Sequence, residues 1–335
     1  MPENTRRVTP LDWQRLINEA LARRKEEGLT QREHAALAGV SVPTIASFDR
    51  AETTLTLTKA FDILRVVGLL KEQPEGGAQE RFLRESFERW QVLTASLPKD
   101  NPARFSDGFY RVDYCLEGDL RQVSLREFEG VLQQAVTRYT GWPPFLTMER
   151  EDLAPREIDG AIETWLAPDG VVERLLTADP AHCDYWRGIP SGRMFLIRGY
   201  QEDGQETYPA GTVFDTTLPI WRMGEVLLHA ERLAALMAQE SVSGITVRLR
   251  VLYTGLQGRQ LRNIGNPLSG MTLVGRPARS DEALLEAEFP AEGITEHLAE
   301  HLLPLAASLY ERFDVGGLSL SYVEGEVARL LKGRF

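Results

Sequence analysis

A chain of 335 residues has room for two domains, and 43% hydrophobic residues, 26% charged residues and a mean hydropathy of −0.26 make an ordinary globular composition. No apolar run approaches the roughly twenty residues of a membrane helix, and the opening "MPENTRRVTPLDW" has two arginines with no apolar stretch behind them, so neither a bilayer span nor a secretory signal is expected. A net charge of −11 argues against a surface coated for nucleic acid, and the two cysteines, Cys115 and Cys183, fit a reducing cytoplasm and exclude a four-cysteine zinc site.

The charge is uneven along the chain. Residues 1–70 hold ten Lys/Arg against nine Asp/Glu, a net of +1, which leaves −12 for the remainder. A near-neutral N-terminal module on an acidic body is compatible with DNA contact through one local face. In that module "PLDWQRLINEALARRKEEG" is amphipathic, with Leu11, Leu16, Ile17 and Leu21 at helical spacing and Gly28 as its end. In "LTQREHAALAGVSVPTIASFDRA" (29–51) Thr30 is placed to cap a short helix whose small inner face is Ala35, Ala36, Leu37 and Ala38, with Gly39 ending it. Ser41 then caps a second helix with Pro43 in its first turn, where a missing N–H is no loss. Ile45 and Phe48 are expected to point inward, leaving Val42, Pro43, Thr44, Ser47 and Arg50 outside. "TLTLTKAFDILRVVGLL" follows with Leu57, Ala60, Phe61, Leu64 and Val67 on one face, ending near Gly68.

Leu29-Thr30-Gln31, Leu37-Ala38, Gly39-Val40-Ser41, Thr44-Ile45 and Asp49-Arg50 stand in the register of a known pattern. The stretch 12–69 resembles the phage-repressor-like, or XRE-type, helix-turn-helix family, departing at His34, where the family has an apolar residue, and at Ala51, where it has glycine. The resemblance implies that Gln31 and Arg50 approach phosphates while Val42, Pro43, Thr44 and Ser47 face base edges in the major groove, with Thr30 and Ser41 counted among the DNA-binding residues. That face lacks Asn and Gln and, apart from Arg50, lacks Arg, so the strong bidentate base contacts are missing and modest specificity per half-site is expected. A homodimer on double-stranded DNA, with half-sites about 34 Å apart, then supplies the affinity.

"KEQPEGGAQ" (71–79) reads as a linker and "ERFLRESFERWQVL" as a helix connecting domains or pairing in a dimer, so 71–102 is assigned as linker and connecting helix. The large domain is placed at 103–335, after the loop "PKDNPARFSDG". Strands are expected at "FYRVDYCL", "MFLIRGY", "ITVRLRVLYTG" and "LSLSYV", and helices at "SLREFEGVLQQAVTRY", "MGEVLLHAERLAALMAQ" and "GITEHLAEHLLPLAASLYERF". This alternation indicates a mixed α/β or α+β domain, so the fold class is an all-α helix-turn-helix domain followed by a larger α/β domain. Residues 141–190, rich in Pro, Trp and Asp, resist assignment, and Ile245–Leu252 fits either a sheet edge that pairs across a dimer or an interior strand.

His297, Glu300 and His301 fit an H-x-x-E-H zinc pattern, but too little chain follows for a downstream ligand and the apolar neighbours read as a plain amphipathic helix. No phosphate-binding or nucleophile motif is present, and His182 beside Cys183 points the other way if both lie on a strand, so no catalytic residue, metal or cofactor is assigned. Trp142, Trp186, Arg187, Arg198, Trp221 and Arg222 lie near likely loops and strand ends. They suit the walls of a pocket for an anionic or planar ligand, with core tryptophans and solvent-facing arginines as the ordinary alternative. The whole reads as a cytoplasmic DNA-binding transcription regulator, in the style of a repressor, whose C-terminal domain dimerises and has a small-molecule effector as an open question. The alternatives are an enzyme or defence component carrying an accessory DNA-binding module, and a protein-interaction scaffold.

Overall fold

The computed structural model describes residues 12–38, 40–52, 55–69, 77–166, 180–264 and 275–333. Leu11, Gly39 and most of the expected linker at 71–79 lie outside them, as do the side chains of Ala36 and Leu57. The chain divides between Arg81 and Phe82 into two compact units.

The smaller unit contains four described helices, α1 (Trp13–Glu26), α2 (Gln31–Leu37), α3 (Val42–Asp49) and α4 (Leu57–Val66). Three of the four starts are set by a capping side chain. Asp12 accepts from Arg15 N at 3.0 Å, and Ser41 Oγ accepts from Thr44 N at 3.3 Å with Pro43 in the first turn. Thr30 and Glu33 cap reciprocally, Glu33 N donating to Thr30 Oγ1 at 3.2 Å and Thr30 N to Glu33 Oε2 at 2.9 Å. Ile17, Ala20, Ala35, Ile45, Phe48, Ile63 and Leu64 form the core. Leu37, expected inside, is 64% exposed, because Ala35 and Ala38 already occupy the inward positions of so short a helix. His34 is buried, and its Nε2 meets Ile63 O at 2.9 Å, which explains how a polar residue is held at an apolar position.

The larger unit includes most of α5 (Ala78–Ala95) and a seven-stranded sheet built from β1 (Phe109–Glu117), β2 (Arg156–Ile158), β3 (Ala161–Trp165), β4 (Tyr185–Ile189), β5 (Arg193–Gly199), β7 (Thr246–Tyr253) and β9 (Ala283–Pro290). Its order is β2-β3-β4-β5-β1-β7-β9 and every pairing is antiparallel. A separate parallel pair joins β6 (Val213–Asp215) to β8 (Gln260–Arg262). Strand alternation gives the sheet two apolar faces. Tyr110, Val112, Tyr114 and Leu116 of β1 enter the main core with α6 (Leu125–Ala135), α7 (Leu218–Met237), α8 (Leu298–Tyr310) and α9 (Leu320–Leu331). On the other face Phe82 and Trp90 of α5 join Phe105, Tyr185, Phe195 and Ile197, with Trp90 and Phe105 stacked at 5.8 Å. α7 is buried on nearly all sides, as its apolar sequence demands.

Besides Leu37, one sequence expectation needs correction and one open alternative is decided. Leu318–Val323, expected as a strand, leads into α9: Ser319 accepts from Tyr322 N at 3.3 Å, and Val323, Val327 and Leu330 continue inward at helical spacing. Thr246–Tyr253 is an interior strand between β1 and β9, so the alternative of an edge strand pairing across a dimer falls. Arg250 on its polar face reaches Asp113 at 2.8 Å, and Arg248 reaches Glu288 of β9 at 2.9 Å. The unassigned stretch 141–190 supplies β2, β3 and β4.

Candidate nucleic-acid interface and cleft

α3 turns Ile45 and Phe48 into the core at 0% and 1% exposure, which forces Val42, Pro43, Thr44, Ser47 and the adjoining Arg50 towards the surface. Thr44 Oγ1 lies 2.8 Å from Ser41 Oγ, so both hydroxyls are engaged at the helix start and can still accept or donate one bond outward. Arg50 Nε donates to Glu52 Oε1 at 2.7 Å, and its Nη2 donates more weakly to Ser47 Oγ at 3.4 Å. Arg50 and Ser47 hold the Glu52 carboxyl below the usual range. This pair is open to solvent, so a phosphate can replace the carboxylate. Gln31 Nε2 donates to Asp49 Oδ2 at 2.6 Å, and Arg24 grips the same carboxylate through both oxygens at 2.9 and 2.8 Å. Gln31 therefore braces the two helices as well as facing outward, and Thr30 is a capping residue.

Pro43, Thr44 and Ser47 share one shallow groove with Leu55, Thr56 and Lys59. Sequence reasoning passed over Thr56 and Lys59. The available signal was electrostatic: a lysine in the first turn opposes the helix dipole, a local disadvantage that asks for a reason.

In the larger unit a cleft of about 640 Å³ opens at the start of α7. Trp142, Trp221 and Arg222, all singled out from the sequence, lie on its wall. Arg222 Nη1 donates to Thr140 Oγ1 at 3.0 Å, Trp142 O at 3.1 Å and Glu225 Oε2 at 2.9 Å, which fixes the Trp142 loop against α7. Trp142 stands edge-on to His182, ring centres 4.6 Å apart, and donates from Nε1 to Asp184 Oδ2 at 3.2 Å. Trp221 Nε1 reaches Glu326 O and Oε2, both at 3.1 Å, and the Arg329 guanidinium lies 5.1 Å from its ring centre. Asp215 Oδ1 accepts from Thr217 N at 2.6 Å and Leu218 N at 2.7 Å, and Oδ2 from Ile264 N at 2.8 Å.

The other three predicted pocket residues part company. Arg198 is 1% exposed and paired with Asp184 (2.7 Å through Nε); its Nη2 holds Pro143 O at 3.1 Å, and it lines a smaller inner cavity beside the cleft. Trp186 is fully buried in the main core with Nε1 donating to Leu146 O at 2.9 Å, and Arg187, its neighbour on the strand, points to the opposite face. Neither reaches the cleft. Thr140, His182, Asp215, Ile264 and Arg329 do, and no sequence signal linked these distant positions.

Burial raises Asp215 above the usual carboxyl range against the pull of its three N–H donors, and pushes Glu202, whose Oε1 accepts from Asp215 N at 3.0 Å, up to about 8. Burial drives His229 down to about 3, with Nδ1 bonded to the Tyr114 hydroxyl at 2.8 Å. His297 precedes α8 as its cap and His301 packs on Phe289, ring centres 4.6 Å apart; among the described residues no group of three side chains suits a metal ion. Among the described residues no helix is long and apolar enough to cross a membrane.

Comparison with known proteins places this geometry. Residues 21–71 match the family model described as "Helix-turn-helix" (HTH_3). Comparisons with curated proteins and with solved structures found no match. The smaller unit thus carries an XRE-type helix-turn-helix, a DNA-binding module, and the chain is multidomain, α followed by α/β.

Proposed function

We propose that this protein is a cytoplasmic, sequence-specific transcription regulator that binds duplex DNA as a homodimer and carries an effector cleft in its larger unit. The observation that carries the reading is α3 itself. Its apolar side is locked into the core, and its other side presents Pro43, Thr44 and Ser47 in a groove with Lys59, with Val42 and Arg50 exposed at the two ends of the helix. In the helix-turn-helix arrangement that side enters the major groove. Residues 1–70 act as the DNA-reading domain, and the larger unit from Phe82 onward, with α5 packed into its core, as the dimerisation and sensing domain.

Regulation follows by population shift: an effector that favours one dimer geometry changes recognition-helix spacing and with it DNA affinity. The cleft supports this role by its size, within the roughly 300–1,000 Å³ of small-molecule sites, and by its two tryptophans. The test is equilibrium binding of full-length variants to a library of duplexes. Arg50→Ala weakens binding to all sequences about equally, whereas Thr44→Ala and Ser47→Ala change which sequences are preferred. Unchanged binding in all three removes the proposal.

A further inference from the structure

The charges along the cleft are already neutralised from within. Arg222 is matched by Glu225 at 2.9 Å and Arg329 by Glu326 at 3.0 Å, while Asp215 is saturated by three backbone N–H groups. An anion entering here competes with a carboxylate fixed beside each arginine, and a cation finds the carboxylates engaged. Besides the uncharged polar groups of Gln201, Gln205 and Thr217, the cleft offers a ligand apolar wall from Trp142, Leu218, Ile264 and the 7% of Trp221 that stays exposed.

Beside the cleft, sharing Gln201, Leu218 and Arg222 with it, lies an inner cavity of about 20 Å³. That is room for about one water, or one polar ligand atom. Two tyrosines line it from neighbouring strands, Tyr110 and Tyr253, paired in register with ring centres 6.0 Å apart. They are 5% and 2% exposed, and among the described residues neither hydroxyl has a hydrogen-bond partner. Buried hydroxyls are ordinarily satisfied by protein, water or ligand, so two orphans in one small cavity point to a third group between them. Burial holds both phenols in the neutral form, and Glu202 on the same wall also stays largely protonated at neutral pH.

Resting on the effector-cleft reading above, we propose that the ligand is an uncharged planar aromatic molecule, its rings against Trp142 and Trp221 and one polar group at its end hydrogen-bonded by the Tyr110 and Tyr253 hydroxyls in the inner cavity. This commits the site to neutral aromatics over organic anions and over non-planar molecules of the same size.

The test uses full-length protein at neutral pH and four probes that differ by one property each: 2-naphthol, naphthalene, 2-naphthoate and decahydro-2-naphthol, titrated by tryptophan fluorescence and calorimetry. The expected order has 2-naphthol tightest and the other three weaker by about tenfold or more. The double variant Tyr110→Phe/Tyr253→Phe brings 2-naphthol down to the level of naphthalene and leaves naphthalene unchanged, which also shows that the variant is folded. Trp142→Ala weakens both. If 2-naphthoate binds tightest, or if the tyrosine variant binds 2-naphthol as the wild type does, the assignment of ligand class is overturned while the cleft stands as a binding site. If none of the four binds, the assignment of ligand class is overturned.

Discussion

Three helices of the smaller unit end with the same pair of backbone bonds. At α1, Gly28 N donates to Lys25 O at 3.2 Å and Leu29 N to Arg24 O at 3.0 Å; at α4, Gly68 N donates to Arg65 O at 2.9 Å and Leu69 N to Leu64 O at 3.0 Å. At α3 the donors are Ala51 N to Phe48 O at 2.9 Å and Glu52 N to Ser47 O at 3.1 Å. This closure needs a left-handed residue. Gly28 and Gly68 supply it at φ +67° and +65°, whereas α3 imposes φ +60° on an alanine. A Cβ in that region costs about 1–2 kcal/mol. Glycine returns about 0.4–1 kcal/mol of this through its freedom in the unfolded chain. The expected net effect of Ala51→Gly is therefore a stabilisation of about 0.7 kcal/mol, or about threefold in an opening equilibrium. Native-state hydrogen exchange on the full chain reads it directly. The Ile45 and Phe48 amides should exchange about threefold more slowly in the variant, under conditions where exchange reports opening. Unchanged or faster exchange would refute the claim that α3 ends in backbone strain.

Other consequences can be checked alongside. Asp49→Ala removes the acceptor shared by Arg24 and Gln31 and should destabilise the smaller unit by about 1–2 kcal/mol, seen as faster exchange of the same amides. Lys59→Ala should lower DNA affinity and reduce the slope of log affinity against log salt by about 1, with sequence preference unchanged. Folded Glu202 keeps its proton up to about pH 8 whereas the unfolded chain releases it near 4.5, so its linkage lowers stability as pH rises through that window and is flat above it. Glu202→Gln should remove that slope in denaturant titrations at several pH values; an unaltered slope would place the titration elsewhere. Ser319→Ala should cost about 1 kcal/mol by loss of the α9 cap, measured in the same titrations.

The parts that were legible in the sequence are those specified locally. Thr30 and Ser41 mark helix starts within three residues of the N–H groups they satisfy, Pro43 fits a first turn because it has no N–H to satisfy, Gly28 and Gly68 mark ends, and Ile45 with Phe48 sets which side of α3 is buried. The strands β1, β5 and β7 were equally readable from apolar runs and alternation. Leu318–Val323 misled because Leu-Ser-Leu-Ser-Tyr-Val alternates like a strand for six residues, while the helical pattern that wins, Val323, Val327 and Leu330, lies mostly beyond it. The cleft was half legible. Aromatic and arginine pairs drew attention to Trp142, Trp221 and Arg222, but Trp186 and Arg187 carry the same dipeptide on a buried strand, where one side chain enters the core and the other leaves it. Asp215, Ile264 and Arg329 reach the cleft only through tertiary packing, which no local spacing encodes.

The most direct test of the account is a selection from random duplexes with the full-length protein at low salt, sequenced to find what it enriches. The account predicts a palindrome whose half-sites lie about 34 Å apart along one face of the duplex, as two copies of α3 require. Enrichment that fails to appear, with only weak salt-sensitive binding to all sequences, would contradict it and leave α3 as a fold without a code.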